Sequence, residues 1–335
     1  MNEQAELMRE TVKEFADKNI KDIAVKIERE GMNKTLRDAI IKQGFIGSTL
    51  PSTMGGADLD SLSHRLMLFE LARVSPSVAL YVYFNNDIIL NVLSAKNKVD
   101  EIKYILSGEH NYGIYWPSLM EGSMNDEDDN ILARVVGRNS THVLDLEKDG
   151  KLFSTSGKAE NVDDFKPLGL RGLGICNFVV DKKEEMGNVE TLEDLLIRSS
   201  SDIAAIFLGL SEGAIEKAIE YTTVRKTFNE SLKNYEPVAF RMAELKSELE
   251  IMKDALFTEE ADEIKMLMLK NMSASFAKRT TKFSLQFHGG YGYLEDFGME
   301  KFYRDSVALN AIIYRPIKDK SFLATKIYSS RSGYL

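Results

Sequence analysis

The stretch Gln286-Phe287-His288-Gly289-Gly290-Tyr291-Gly292-Tyr293 decides the fold. A helical segment over residues 260–287 runs into it, and two adjacent glycines end that helix. Because Gly289 and Gly290 carry no side chain, their backbone lets a ligand approach closely. A helix cap followed by a turn would explain the same residues without a ligand. The stretch is therefore either a ligand-binding turn or a simple helix end, and the rest of the sequence is needed to decide between these two interpretations.

Working outward from this stretch, the hydrophobic pattern predicts three domains. Residues 1–110 have helical periodicity, and residues 195–335 return to it. In between, residues 111–194 contain short β-type runs at 131–136, 142–146 and 176–180, which predict a small sheet of four or five strands. The apolar side chains of the longest seam step by 4, 3, 4, 3 and 4: Val238, Met242, Leu245, Leu249, Met252 and Leu256. The predicted fold is α+β but mainly α, with an N-terminal helical domain, a small central β domain and a C-terminal four-helix bundle.

Composition and charge exclude several classes of protein. The 335 residues carry a net charge of −9 and a pI of about 5.2, which argues against nonspecific binding to nucleic acid or to anionic membranes. We see no apolar run near the roughly 20 residues of a membrane span, and no signal-peptide pattern. Cys176 is the only cysteine, so no disulfide can form within the chain. A cytoplasmic location is the simplest expectation.

Several motifs along the chain match one family in order and spacing. Residues 286–293 resemble a signature of the acyl-CoA dehydrogenases, and Arg304-Asp305 resembles the next cluster of that family. The segment Arg225-Lys226-Thr227-Phe228 is similar to the family's Arg-Lys-x-Phe segment. The N-terminal matches are Gly44-Phe45-Ile46-Gly47, Leu50-Pro51, Gly55-Gly56-Ala57-Asp58-Leu59-Asp60 and Glu70-Leu71-Ala72-Arg73-Val74. The resemblance thus covers nearly the whole chain.

This resemblance implies a FAD-binding flavoprotein whose cofactor contacts cross a subunit interface. In the family, the arginine that Arg225 matches reaches the FAD pyrophosphate of the neighbouring subunit, and the phenylalanine matched by Phe228 packs near the cofactor. Gln286 is expected to contact the same cofactor, with Gly289 and Gly290 lying along it. A homodimer or homotetramer follows from these contacts.

The resemblance also assigns residues in the central domain. Phe153-Ser154-Thr155 resembles the family's flavin-facing Trp-Ile-Thr strand, so Phe153 and Thr155 are expected at the cofactor. Gly122-Ser123 resembles the family's Gly-Ser, so Ser123 is expected at the substrate, whereas Pro117-Ser118-Leu119 stands where Thr-Glu-Pro should be. Only about a dozen residues separate Thr155 from Leu168-Gly169-Leu170-Arg171, which resembles the family's Leu-Gly-Leu-Arg turn. Two or three strands of the family's β domain are therefore expected to be missing.

The family's catalytic glutamate is not found at either of its usual positions. The first position falls on Ile313 or Arg315, depending on register, and the second falls on Ser199. The nearest acid to the second position is Asp202, three residues on. Arg315 is expected either to attract an anionic ligand or to fill the substrate pocket. No catalytic residue is assigned.

Three functions follow from these observations. The first is an acyl-CoA dehydrogenase-like oxidoreductase that acts on an acyl-CoA or related thioester and exchanges electrons with an electron-transfer flavoprotein. The alternative is a degenerate subunit that supplies cross-subunit FAD contacts to a catalytic homologue in a hetero-oligomer. Monooxygenase-type or nitroalkane-type flavin chemistry ranks third. The scattered residues His64, His110 and His142 predict no metal site, and His288 is expected at the cofactor edge.

Overall fold

The computed structural model describes residues 3–115, 130–147, 150–160 and 165–329. Trp116, the Pro117-Ser118-Leu119 segment and Ser123 lie outside these ranges. Within them the element order is helices, then five strands, then helices, which confirms the predicted fold class.

The N-terminal helices pack around one buried helix, α4. Asn33 and Asp60 cap α3 and α4, because their side chains accept hydrogen bonds from the backbone N–H groups of Leu36 (2.8 Å) and Ser63 (2.7 Å). All the residues of α4 after Ser61 are buried, so α4 is the core helix of this domain. The helices are α1 (Glu3–Asn19), α2 (Ala24–Glu30), α3 (Lys34–Lys42), α4 (Ser61–Val74), α5 (Pro76–Tyr83), α6 (Asn91–Ala95) and α7 (Val99–Ser107), with a π-helical segment (Phe84–Leu90) between α5 and α6.

One helical run has the length and apolarity of a membrane span. Pro76–Ala95 is 20 residues long and contains an 18-residue window with a mean hydropathy of 1.2, which corrects the expectation that no such run exists. However, 72% of this window is buried inside the protein itself, as is usual for the core helix of a globular domain. Its apolar character is therefore explained by packing within the chain.

The central domain is a small closed barrel. Its strands are β1 (Tyr112–Tyr115), β2 (Ile131–Val136), β3 (His142–Leu146), β4 (Lys151–Glu160) and β5 (Ile175–Asn188). They are hydrogen-bonded in the order β1-β2-β5-β4-β3, and β1 pairs in parallel with β3 to close the barrel. The runs predicted at 131–136 and 142–146 are confirmed as β2 and β3, and β5 extends well past the predicted 176–180. The interior is filled by Leu132, Val135, Val143, Cys176 and Phe178.

The C-terminal helices form the expected bundle. Its members are α9 (Ser200–Val224), α10 (Glu236–Leu256), α11 (Glu263–Phe287) and α12 (Met299–Ile312), flanked by α8 (Leu192–Arg198) and α13 (Pro316–Ser329). The predicted seam lies on α10, where Leu245, Leu249, Met252 and Leu256 are buried. Its first two members, Val238 and Met242, are only half-buried.

Close contact between α4 and α9 joins the N-terminal domain to the bundle. A Cβ at Gly213 would lie 1.9 Å from the carbonyl oxygen of Arg73, so only glycine allows this approach. In the same way, a Cβ at Gly209 would lie 2.2 Å from the carbonyl oxygen of Phe69. The two helices therefore dock backbone to backbone.

A buried ion cluster joins all three domains. Glu28 of α2 accepts hydrogen bonds from Ser77 Oγ (2.7 Å) and from the backbone N–H of Gly172 (3.1 Å). Lys301 Nζ lies 2.5 Å from Asp305 Oδ2 and 3.8 Å from Glu28 Oε1. Asp305 Oδ1 in turn accepts the backbone N–H of Leu170 at 2.7 Å. We call Glu28, Lys301 and Asp305 the three-domain ion cluster; it gives Asp305 and the Leu168–Arg171 turn a structural role.

Burial and neighbouring charges shift the pKa values of the groups in this cluster. Burial raises the pKa of the Asp305 carboxyl to about 6, with the neighbouring Glu28 carboxylate adding to the effect. Burial alone would lower the pKa of Lys301, but Asp305 and Glu28 outweigh it, so that pKa is raised. The ammonium of Lys301 is therefore the shared counter-charge of two buried carboxylates.

Candidate functional site

Four of the predicted cofactor residues line one open cleft at the end of the bundle. The cleft has a volume of about 530 Å³ and lies where α9 and α11 both end. Arg225, Gln286, Gly289 and Gly290 line it, together with Tyr221 and Tyr291. Residues 61 positions apart in sequence (225 to 286) thus meet because the C-terminal ends of two bundle helices lie at the same end of the bundle.

Aromatic contacts hold the walls of this cleft in place. The Arg225 guanidinium carbon lies 5.4 Å from the centre of the Tyr291 ring, a cation–π contact. The rings of Tyr221 and His288 stack at 4.2 Å, and the Tyr221 hydroxyl donates to the His288 carbonyl oxygen at 3.3 Å. Burial lowers the pKa of His288, whose Nδ1 contacts the Ser284 carbonyl oxygen at 2.8 Å. His288 therefore supports the cleft wall as a neutral ring.

Space beside the two glycines fits a bound group. A Cβ built at Gly289 or at Gly290 would meet no atom of the described chain within 4 Å. Packing within this part of the protein therefore does not require glycine at either position. The φ of +55° explains Gly289, but Gly290 has no such backbone reason. An open approach to bare backbone beside an arginine is the arrangement that a pyrophosphate-containing cofactor needs.

Phe228 stands at the tip of a two-stranded hairpin beside the cleft. The hairpin pairs β6 (Lys226–Thr227) with β7 (Glu230–Ser231). Its turn residues Phe228 and Asn229 both have positive φ, +49° and +66°, as a type I′ turn requires. A phenylalanine is disfavoured there, and its ring is 92% exposed. The chain therefore holds a large apolar ring in solvent, in a strained conformation.

The predicted cofactor residues of the central domain lie elsewhere. Phe153 and Thr155 are on β4, and Thr155 pairs in register with Val143, which faces the barrel interior. Thr155 is fully buried, and its hydroxyl has no hydrogen-bond partner among residues 3–115, 130–147, 150–160 and 165–329. Neither residue lines the cleft of Arg225 and Gln286. Their assignment to the cofactor stays a prediction, and Ser123 lies outside the described residues.

Both the N-terminal and the C-terminal parts of the chain match known protein-family domains. Residues 2–98 match the acyl-CoA dehydrogenase N-terminal domain, and residues 199–312 match the acyl-CoA dehydrogenase C-terminal domain. The chain belongs to the acyl-CoA dehydrogenase family. Members of this family bind FAD, which agrees with the donor set and the open space of the cleft.

Similar proteins of known activity span almost the same length. The 3-(aryl)acrylate reductase of Clostridium sporogenes is 25% identical, over 90% of this chain and 93% of the relative. Subunit CarC of the caffeyl-CoA reductase–Etf complex of Acetobacterium woodii is 24% identical, over 91% of this chain and 93% of the relative. The acyl-CoA dehydrogenase of Bacillus subtilis is also 24% identical, over 90% of this chain and 91% of the relative.

Solved structures of acyl-CoA dehydrogenases share the fold. Butyryl-CoA dehydrogenase from Megasphaera elsdenii superposes with a TM-score of 0.80 at 16% identity, covering 98% of this chain and 99% of that one. A glutaryl-CoA dehydrogenase from Mycobacterium smegmatis in complex with FADH2 superposes with a TM-score of 0.84 at 15% identity, covering 100% of this chain and 97% of that one. At these identities the likeness concerns the fold alone.

The sequence analysis placed the first position of the family's catalytic glutamate at Ile313 or Arg315, and neither residue carries a carboxylate. Ile313 is fully buried in the core. Arg315 donates from Nη1 to the carbonyl oxygens of Ala311 (2.8 Å) and Tyr314 (3.3 Å), so its guanidinium caps the end of α12. Its assignment to the substrate stays a prediction.

The second position, Ser199, lies against a buried polar network. Its hydroxyl is 2.6 Å from the hydroxyl of Tyr83, whose ring is fully buried. Nearby, His64 joins Asp87 through Nε2 (3.0 Å) and Ser48 through Nδ1 (3.1 Å). The Tyr83 phenol and this network lie beside the place where a glutamate at position 199 would act.

Asp202 belongs to the same network. One ligand-type atom of each of His64, Asp87 and Asp202 lies within 4.8 Å of the others. Burial, followed by the neighbouring Asp87 carboxylate, raises the pKa of Asp202 to about 7. For His64, burial lowers the pKa, but Asp87 outweighs it and the pKa is raised. The sequence analysis named Asp202 but missed its neighbours, because His64 lies on α4, Tyr83 ends α5 and Asp87 lies on the π-helical segment that follows.

Proposed function

We propose that this protein is a FAD-dependent oxidoreductase of the acyl-CoA dehydrogenase type, acting on the carbon chain of an acyl-CoA or a related thioester. The observation that carries the proposal is the meeting of Arg225, Gln286, Gly289 and Gly290 on one open cleft. The relatives named as reductases and dehydrogenases of CoA thioesters support the substrate class.

Each residue of the cleft has a part in holding the cofactor. Arg225 offers a guanidinium fork to a pyrophosphate, and its stacking on Tyr291 keeps the fork in place. Gln286 offers an exposed amide, while the backbone of Gly289 and Gly290 leaves room for close approach. When bound, FAD supplies the exchange of a hydride with the substrate's β-carbon.

Phe228 supports a cofactor contact outside its own subunit. Residues held at positive φ against their preference cost about 1–3 kcal/mol, and such strain is commonly kept at functional sites. Exposure of 92% leaves this ring without compensating burial in its own chain. A neighbouring subunit that brings its FAD against the hairpin would bury the ring. We therefore propose a dimer or tetramer with Phe228 facing the partner's cofactor.

A second function is supported by the residues expected at the two positions of the family's catalytic glutamate. These residues are Ile313 or Arg315 at the first position and Ser199 at the second, and none can accept an α-proton as a carboxylate does. The alternative is therefore a non-catalytic subunit that lends its cleft to the FAD of a homologue carrying the glutamate. Because CarC is named as part of a complex with Etf, we propose an electron-transfer flavoprotein as the electron partner in either case.

We also propose a reducing, cytoplasmic location. The single cysteine, Cys176, is a buried free thiol of the barrel core. Burial raises its pKa to about 12, so it stays protonated and unreactive.

The first test is the visible spectrum of the purified protein before and after incubation with FAD and dialysis. We expect retained flavin bands in the wild type and FAD binding about 10–100-fold weaker in Arg225→Ala, because a charge-assisted hydrogen bond contributes about 1.5–3 kcal/mol. The matched control is Lys226→Ala, which removes the next positive charge but does not line the cleft.

Each outcome of this test separates the two functions. Bleaching of the bands by an acyl-CoA would support the dehydrogenase. A protein that stays colourless with excess FAD would contradict it, and co-purification from native extract would then be expected to yield a larger homologue with the glutamate. An exclusively homomeric, colourless particle would contradict both functions.

A second prediction concerns the hairpin. Phe228→Asn should raise the free energy of unfolding of the FAD-free protein by about 1 kcal/mol, because asparagine accepts positive φ more readily. The same variant should bind FAD more weakly than the wild type. Urea unfolding and FAD titration measure the two effects.

The matched control for the hairpin is Phe240→Asn, which replaces another exposed phenylalanine on helix α10. No gain in stability is expected there, since asparagine is a poorer helix former. Unchanged FAD affinity in Phe228→Asn would contradict the proposed contact.

A further inference from the structure

A cluster of two histidines and one glutamate lies at the junction of the N-terminal domain and the barrel, away from the cofactor cleft. Glu101 is on α7, His110 is in the loop after it, and His142 begins β3. One ligand-type atom of each residue lies within 4.8 Å of the others. Because these residues come from three separate elements, the sequence analysis predicted no metal site, and only the fold brings them together.

Hydrogen bonds in the cluster leave metal-binding atoms unused. His110 Nδ1 lies 3.0 Å from Glu101 Oε2, and the same oxygen accepts the Tyr112 hydroxyl at 2.9 Å. His142 Nδ1 lies 3.1 Å from the Thr141 hydroxyl. Within the described part of the chain, Glu101 Oε1 and the Nε2 atoms of both rings have no hydrogen-bond partner. The three side chains thus offer two imidazoles and one carboxylate, which are ligands of the kinds that bind zinc.

The surroundings of the cluster resemble the outer shell of a metal site. Metal-binding histidines and carboxylates are usually oriented by further hydrogen bonds, and here Tyr112 and Thr141 provide them. The two imidazole rings stack face to face with their centres 3.8 Å apart, and the Tyr104 ring lies 4.6 Å from that of His110. Because a metal ion binds in the plane of an imidazole, one of the two rings must turn before both can bind the same ion.

The cluster is also reachable from solvent. The side chains of His110 and Glu101 are 22% and 30% exposed, so an ion can enter without opening the core. In a tetrahedral zinc site, bonds of about 2.0–2.1 Å put ligand atoms roughly 3.3 Å apart. Rotation of the half-exposed side chains can supply the contraction from 4.8 Å.

We propose that Glu101, His110 and His142 form a binding site for a divalent transition metal of the zinc class. Two imidazoles and one carboxylate suit Zn²⁺, Co²⁺ or Ni²⁺, whereas Mg²⁺ and Ca²⁺ prefer sites made of oxygen ligands alone. Three protein ligands leave at least one coordination position open to water. The ion would fasten α7 to β3, because Glu101 belongs to the helix and His142 to the strand.

The test is isothermal titration of the full-length, chelator-treated protein with ZnCl₂, repeated with CoCl₂ followed by visible absorption. We expect one Zn²⁺ per chain and, with Co²⁺, d–d bands of a four-coordinate site. His110→Ala, His142→Ala and Glu101→Gln should each weaken zinc binding at least as much as the 10–100-fold that removal of an outer-shell partner causes. The matched control, Glu109→Gln, changes an exposed neighbouring carboxylate and should bind zinc as the wild type does.

Folding and the second cluster are checked in the same experiment. Far-UV circular dichroism of each metal-free variant shows that it is folded before the titration. His64→Gln should leave zinc binding unchanged, although His64, Asp87 and Asp202 form the other group of metal-type ligands among the described residues. The proposal would be overturned by absence of binding in the wild type, by unchanged binding in His110→Ala and His142→Ala, or by loss of binding in His64→Gln alone.

Discussion

Lys301→Met should lower the free energy of unfolding by about 3–5 kcal/mol, the usual effect of removing one partner from a buried ion pair. Lys301 is 3% exposed and is the shared counter-charge of Asp305 and Glu28 in the three-domain ion cluster. Methionine keeps most of the alkyl chain, so the loss reports the missing charge rather than a cavity. Urea unfolding followed by far-UV circular dichroism measures the effect.

Two companion variants identify the cause of this loss. Lys278→Ala removes an exposed lysine of α11 and should change stability by less than about 0.5 kcal/mol. Adding Asp305→Asn to Lys301→Met should recover part of the loss, because it removes one of the carboxylates left unpaired. A single variant Lys301→Met within about 1 kcal/mol of the wild type would contradict this account of the cluster.

The second large effect should appear in the pH dependence of stability. Burial and Asp87 raise the pKa of Asp202 from 3.8 to about 7, with His64 and Arg65 opposing the rise. Between about pH 4 and pH 7 the folded protein therefore holds a proton on Asp202 that the unfolded chain has released. Its contribution to stability is full below about pH 4 and is lost as pH rises to about 7, at a total on the order of 4 kcal/mol.

Asp202→Asn should remove this dependence, because an amide stays neutral at every pH. We expect the stability of the variant relative to the wild type to rise between pH 5 and pH 8, as measured by urea unfolding at each pH. The raised pKa of His64 acts in the same direction and remains in the variant, so the flattening is partial. Asp254→Asn, at an exposed position, is the control. Parallel pH curves for Asp202→Asn and the wild type would contradict the prediction.

Most of the fold could be predicted from the sequence, because the periodicity of apolar residues within single helices and strands is kept in the structure. The seam from Leu245 to Leu256 is buried as its spacing requires, and β2 and β3 begin and end at the predicted residues. Arg225 and Gln286 were assigned to one cofactor by resemblance, and the structure brings them to one cleft. These successes rest on periodicity within single elements and on motifs with fixed spacing.

What sequence reasoning missed depends on contacts between distant elements. Nothing local to Tyr83 predicts that its hydroxyl meets Ser199, 116 residues away. The pairing of Glu28 with Lys301 likewise depends on how α2 docks against α12, and the approach of Glu101 to His142 depends on how α7 docks against the barrel. The search for a catalytic base examined positions along the chain, whereas burial and neighbouring charge set the properties of Asp202.

Closure of the small barrel affects how its strands are protected from other chains. An open sheet that lost strands would present unpaired N–H and C=O groups along a new edge, and such edges recruit other chains into aggregates. Here β1 pairs with β3, so every barrel strand has a neighbour on both sides for part of its length. Closure therefore protects the barrel strands from pairing with other chains, and the connecting loops can vary in length without exposing a strand edge.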